Sequence, residues 1–292
     1  MSNYSIKDLE TLSGIKAHTI RIWEQRYNIL SPDRTETNIR YYSDEDVKMI
    51  LNISLLNQHG YKISKIAQLS RENINEEVIK LTENNLKYPE QVHALTLCML
   101  DLDEDRFEKL MQRNTTQFGF EKTMLFIIYP FLSKVGMLWL TGAINPAQEH
   151  FISNLIRQKV IVAIDDLKVN ETTPKKKFLL YLPSNEYHEL SLLFAHYMLK
   201  AHGQDVLYLG SNLPFQDLVS SFHIYMPDVL LTIFTASPID FDIQAYINKL
   251  STQFANTTIF ITGYQVVGQD IELPHNVQLV NRLEHIYSII EA

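Results

Sequence analysis

A chain of 292 residues exceeds one ordinary domain and suits two or three. Its composition, 46% hydrophobic and 21% charged, is that of a globular protein; no run approaches the roughly 18–20 apolar residues that span a bilayer, and a net charge of -8 argues against the whole surface binding a polyanion. Cys98 is the only cysteine, which excludes an intramolecular disulfide framework and any thiolate zinc or iron–sulfur cluster, and the polar N-terminus predicts no signal peptide and a cytoplasmic location.

Charge is unevenly placed along the chain. Residues 1–75 carry about 10 basic against about 9 acidic side chains, so the acidic excess lies downstream and a local basic face is open to the N-terminal part. There, Ser5-Ile6-Lys7-Asp8 reads as a capping box, with Leu9 and Leu12 as the apolar stripe of a short helix that Gly14 ends. A second helix follows, with Ile15, Ile20 and Trp23 at core spacing and Arg21, Glu24 and Arg26 facing outward. Two short helices joined by a tight glycine turn make a helix-turn-helix, whose second helix fits the major groove of double-stranded DNA. After Pro32, a polar stretch and Ile39-Arg40-Tyr41-Tyr42 predict a β-hairpin wing carrying Arg34 and Arg40. Ser43-Asp44-Glu45-Asp46 caps a further helix with Val47, Ile50 and Leu51 on its inner face.

Tyr4-Ser5-Ile6, the run from Thr19 to Tyr27, Arg40-Tyr41-Tyr42-Ser43 and Asp46-Val47 together resemble the winged helix-turn-helix of the MerR family of transcription regulators, over about the first 70 residues. The resemblance implies that His18, Thr19 and Arg21 meet DNA from the recognition helix and that Arg34, Arg40 and Tyr41 meet phosphate from the wing. A physical reason stands beside it: guanidinium forks suit phosphate oxygens and guanine edges. MerR-like proteins often sense metals through cysteine thiolates near a dimerising coiled coil. With Cys98 alone and no long heptad run after residue 70, an effector must be sensed differently.

Residues 75 to about 168 read as a helical bundle, with apolar positions recurring at three and four in Val78–Leu86, Val92–Met99, Phe107–Met111, Thr123–Trp139 and Phe151–Leu167. Gly142 breaks the helix that carries Trp139. Asn145-Pro146-Ala147-Gln148 starts the next, with an Asn cap and Pro at the first helical position, so Glu149 and His150 lie in its first two turns. Thr172-Thr173-Pro174 and Lys175-Lys176-Lys177 form a linker. Beyond it the period changes: Phe178–Leu182, Val206–Leu209, Val229–Thr235, Thr258–Thr262 and Val277–Val280 are short β runs separated by helical stretches, predicting a flavodoxin-like, doubly wound parallel sheet with its ligand site at the carboxyl ends of the strands. The loop holding Glu186 and His188 follows the first of these strands. His196, His202, His223, His275 and His285 read as structural or surface residues, and Met198 and Met226 as core.

A helical bundle followed by an α/β domain with Glu186-x-His188 resembles the cobalamin-binding modules of corrinoid proteins, whose fold is Rossmann-like. Trp139-x9-Glu149-His150 narrows the resemblance to the CarH/LitR family of light-dependent, cobalamin-binding MerR-type repressors, across three domains: 1–74, a winged helix-turn-helix; 75–172, a helical cap; and 175–292, the cobalamin-binding sheet. The resemblance implies adenosylcobalamin as cofactor and His188 as lower cobalt ligand, oriented by Glu186. Trp139 and Glu149 would cover the adenosyl face, and His150 would ligate cobalt after the adenosyl group has left. It further implies a homodimer or homotetramer on promoter DNA, released by light, with no catalytic residue and no enzyme activity.

The match has departures. Ser191 stands where the family pattern has glycine, Thr262-Gly263 replaces a pair of glycines, and Thr232-Ile233-Phe234-Thr235 replaces a serine-containing motif, with Phe234 a candidate intruder on the pocket for the nucleotide tail. Ser191, Thr235 and Gly263 are the expected tail contacts. The alternative is a MerR-type regulator with a degenerate domain that binds no corrinoid and answers to a protein partner or another ligand. A corrinoid enzyme is disfavoured, because three domains already fill the chain and none is a catalytic barrel.

Overall fold

The computed structural model describes residues 4–35, 37–84, 88–140, 144–167, 175–235, 242–281 and 285–286. The chain forms two compact units, Met1–Leu155 and Ile156–Ala292. Gly142, Leu86 and the linker residues Thr172 to Pro174 lie outside the described residues. No described helix is long and apolar enough to cross a membrane.

In the first unit, α1 (Ile6–Ser13) starts on the expected capping box, the Asp8 amide donating to Ser5 Oγ at 3.3 Å and the Ser5 amide to Asp8 Oδ2 at 2.6 Å. It ends at Gly14, whose φ of 72° is the left-handed conformation that glycine adopts without penalty. The second helix, α2 (Ala17–Tyr27), is followed by the two-stranded wing β1 (Asp33–Arg34) and β2 (Arg40–Tyr41), antiparallel with Arg34 opposite Arg40. Tyr4 pairs with Tyr42 through two backbone hydrogen bonds of 3.0 and 2.9 Å, tying the N-terminus to the wing. Helix α3 (Asp44–Gln58) carries the second capping box, Ser43 with Asp46, and buries Val47, Ile50 and Leu51 as expected.

Two expectations for α2 are corrected. Glu24 does not face outward: it is buried, because it lies one turn after Ile20 on the inner face. Ile15 precedes the helix, and both it and Trp23 are only half-buried.

Five helical stretches complete this unit: α4 (Ile63–Ile66), α5 (Arg71–Asn84), α6 (Tyr88–Asp101), α7 (Glu104–Phe118) and a longer run that begins as α8 (Phe120–Thr123), continues as a π-helical turn (Met124–Ile128) and ends as α9 (Tyr129–Leu140). The π turn has a covalent cause. Pro130 has no N–H to donate and its ring collides with the carbonyl four residues earlier, so the register widens and the Tyr129 amide reaches Met124 O, five residues back. Helix α3 packs on α5 and α6, and α1 on α9, so the winged head and the helices share one core. Helix α10 (Pro146–Asp165) begins on a reciprocal cap, the Gln148 amide donating to Asn145 Oδ1 at 3.0 Å and the Asn145 amide to Gln148 Oε1 at 3.1 Å.

The second unit is a five-stranded parallel sheet. In chain order it runs β3 (Lys177–Tyr181), α11 (Leu190–Ala201), β4 (Asp205–Tyr208), α12 (Phe215–Tyr225), β5 (Val229–Ile233), α13 (Ile243–Gln253), β6 (Thr258–Thr262) and β7 (Val277–Leu279). The spatial order β4-β3-β5-β6-β7 is that of a flavodoxin-like sheet. Its connections part at β3, which places the switch point, and hence the expected ligand crevice, beyond the carboxyl ends of β3 and β5. β5 is buried at every residue, as a strand covered on both faces must be.

The Phe234 side chain is buried in the sheet core, edge-on to Tyr246 at 6.0 Å between ring centroids. Met226 is not core: it is exposed, capping α12 in the left-handed conformation, whereas Met198 is fully buried. Gly263 is required where it stands. With φ at 112°, a Cβ on this residue would lie 2.2 Å from Phe234 O, so β5 and β6 splay apart if anything larger is placed there. Gly263→Ala is expected to destabilise this unit by about 3 kcal/mol or more, seen as a lowered unfolding midpoint. An unchanged midpoint would contradict the close approach.

Candidate functional site

The expected DNA contacts lie on α2 and on the wing. On α2, His18 and Arg21 are exposed and Thr19 is half-buried, its Oγ1 3.3 Å from His18 Nε2. On the wing, Arg34 is exposed and donates to Asn38 Oδ1 at 2.6 Å, while Asn38 takes the positive φ of 65° that the tight hairpin needs. Ile22 and Ile39 expose apolar side chains beside these cations. Tyr41 is half-buried.

Arg40 is engaged within the head itself. Its Nε lies 3.3 Å from Glu24 Oε2, an ion pair without the alignment of a hydrogen bond, and the Tyr42 hydroxyl donates to Glu24 Oε1 at 2.5 Å. A buried carboxylate is tolerated only with such partners. Burial, and then the Glu24 carboxylate, hold the Tyr42 phenol well above its ordinary pKa, so it stays a donor. Wing and recognition helix are thereby clamped at one angle. The sequence reading missed this role for Glu24, although its spacing from Ile20 was the available signal.

The second site grows from the loop after β3. Pro183 bridges to Leu213, the Asn185 amide donates to Asn212 Oδ1 at 2.9 Å, and the Asn212 amide donates to Glu186 O at 3.1 Å, so the loops after β3 and β4 are strapped together. This places the Glu186 side chain inside, 4% exposed. Its Oε1 accepts from the His188 amide at 3.0 Å and contacts His188 Nδ1 at 2.7 Å, and its Oε2 accepts from the Thr235 amide at 2.8 Å. Charge-assisted bonds from N–H groups are what make burying this carboxylate acceptable. The carboxylate also selects the ring tautomer: with the proton on Nδ1, the lone pair of His188 is at Nε2. The His188 side chain is 62% exposed.

Ser191 lies half-buried in the first turn of α11, and Gly263 is pressed against the backbone of Phe234, the residue before Thr235. Glu186, His188 and Thr235 are thus brought into direct contact. A further cluster was not foreseen: Glu189 receives Arg157 Nε at 2.5 Å on one oxygen and the Tyr208 hydroxyl at 3.1 Å on the other. It joins residues distant in sequence, and no local pattern announces it.

In the first unit, Trp139 is 47% exposed in the last turn of α9, which rules out a core role for the indole. Glu149 accepts from Ser153 Oγ at 2.6 Å through one oxygen and meets His150 Nδ1 at 2.9 Å through the other, with the His150 ring largely in solvent.

Comparison with known proteins bears on both sites. Residues 4–73 match the model of the MerR HTH family regulatory protein, and residues 91–163 match a B12 binding domain. The HTH-type transcriptional repressor CarA of Myxococcus xanthus is 30% identical over 234 residues, covering 78% of this chain and 75% of that protein. The chain belongs to the CarA family of MerR-type regulators. The repressor CarH of the same organism is 27% identical over 247 residues, 82% of each chain. The HTH-type transcriptional regulator MlrA of Escherichia coli is 34% identical over 76 residues, covering 26% of this chain and 31% of its own. A CarA-family chain of this kind is a DNA-binding regulator with a B12-binding domain, and the relatives named are transcriptional regulators.

The tautomer assignment is directly testable. Nitrogen chemical shifts of the His188 ring are expected to report a proton fixed on Nδ1, and Glu186→Ala to give a mixture of both tautomers. Identical shifts in the two proteins would show that the carboxylate does not select the tautomer.

Proposed function

We propose that this CarA-family protein is a transcriptional repressor whose assembly and promoter affinity are set by bound adenosylcobalamin and by light. The observation that supports it most is His188, an exposed imidazole whose Nδ1 is taken by a buried carboxylate, leaving Nε2 as the donor. A cobalt corrinoid would take one neutral imidazole nitrogen from the protein, and this donor fits that group.

When bound, adenosylcobalamin supplies a cobalt–carbon bond that light breaks. The protein's part is orientation and cover. His188 would hold the metal through Nε2, with Glu186 fixing the ring and raising its basicity. Ser191, Thr235 and Gly263 would border the nucleotide tail. Trp139, exposed at the end of α9, and Glu149, which accepts from Ser153, would cover the adenosyl group, and His150 would be a ligand for the adenosyl-free form. Residues 1–74, 75–172 and 175–292 act as reader, cap and cofactor base. His18, Thr19, Arg21, Arg34, Arg40 and Tyr41 face a cytoplasmic promoter in a homodimer or homotetramer. A cofactor shifts assembly only through differential affinity for two states, and a group present in one and absent in the other provides it.

A second reading rests on Ser191, which stands where the resembled family has glycine: the same regulator without a corrinoid, answering to a protein partner or another ligand. Absorption spectra of the full chain with adenosylcobalamin, dark and illuminated, separate the two. The first reading predicts a bound corrinoid spectrum that changes on illumination, and a loss of affinity of about 10-fold or more in His188→Ala. Absence of any bound corrinoid in the wild type favours the second. Arg21→Ala is expected to weaken promoter binding by about 10-fold, leaving the corrinoid spectrum as it was; equal promoter affinity would remove Arg21 from the interface.

A further inference from the structure

The first unit holds a cavity where α1, α3, α6 and α9 meet, and two of its lining groups have no partner among the described residues. Lys134 of α9 is half-buried and makes no ion pair or hydrogen bond with a described residue. His93 of α6 is 8% exposed, and its Nε2 is buried without a hydrogen-bond partner. A desolvated ammonium without a counter-ion is costly, and so is an orphaned ring nitrogen. Burial alone lowers the Lys134 ammonium to about 8. Burial first, then the positive charges of Lys134 and Arg106, pull His93 down to about 3, so its ring is neutral.

Other polar lining groups come from the α1–α2 turn and from α3. Gln58 donates to Ser54 Oγ at 3.3 Å, Ser54 Oγ donates to Ser13 O at 2.7 Å, and the Ile15 amide donates to Ser13 Oγ at 3.2 Å across the Gly14 turn. These groups satisfy one another, whereas Lys134 and His93 line the same cavity with hydrogen-bonding capacity unmet by the described residues.

We propose that this cavity is a binding site for a small oxyanion, a carboxylate or phosphate group, held by the Lys134 ammonium and by His93 Nε2–H. The anion supplies the missing counter-charge and an acceptor for the ring, which the neutral tautomer protonated at Nε2 can meet. Its occupant would sit against the joint that leads into α2, and the site shares no residue with Glu186 and His188, so it does not rest on the corrinoid reading.

Calorimetric titration of the full chain with inorganic phosphate, and separately with acetate, at constant ionic strength tests this. Saturable one-site binding of at least one of the two is expected, weakened about 10-fold or more in Lys134→Met and retained in Lys134→Arg. Methionine keeps the aliphatic stem and removes a desolvated charge, so the variant is expected to unfold no earlier than the wild type. The nitrogen shift of His93 Nε2 should move on saturation in the wild type. No saturable binding of either anion, or equal binding by Lys134→Met, overturns the proposal.

Discussion

A single carboxylate organises the sheet unit's functional end. Glu186 is sealed beneath the strapped loops after β3 and β4, and it satisfies amides from two different loops as well as the ring of His188. Because a buried charge must be fully met, the loop after β5 cannot drift from the loop after β3 without stranding it. The ring is therefore presented on a fixed mount, at the carboxyl edge where a parallel sheet leaves room for a ligand. Orientation is provided before any cofactor arrives, so less order has to be imposed on binding.

The same device recurs in the winged head with a different purpose. Glu24 is buried between Tyr42 and Arg40, so the recognition helix and the wing share one ionic knot. The two elements are thus held at a set spacing, with Arg21 and Arg34 left at the surface. Arg40 stabilises the reader from within, whatever it does at phosphate.

Much of this was legible in the chain. Both capping boxes, the Asn145 cap, the five strands and the Glu186-x-His188 loop are local patterns with local causes, and the structure places them where spacing predicts. What escaped is what depends on packing at a distance. Glu24 looks solvent-facing because it is charged, although its turn of helix faces inward. The facing of Phe234 is not legible in the sequence, and only the fold shows its ring against Tyr246. Pro130 signals a break, and the helix answers with a wider turn rather than an end. Lys134 and His93 give no sequence signal, since only the fold brings them to one cavity.

The central claim is that His188 Nε2 is the nitrogen that holds the cobalt. Electron paramagnetic resonance of the full chain loaded with the paramagnetic cobalt(II) form of cobalamin reads that bond. With protein labelled by 15N at histidine only, the splitting of the cobalt signal should change from the three lines of 14N to the two of 15N, and His188→Gln should abolish the labelled pattern. A splitting untouched by the label would place another nitrogen on the metal and contradict the account.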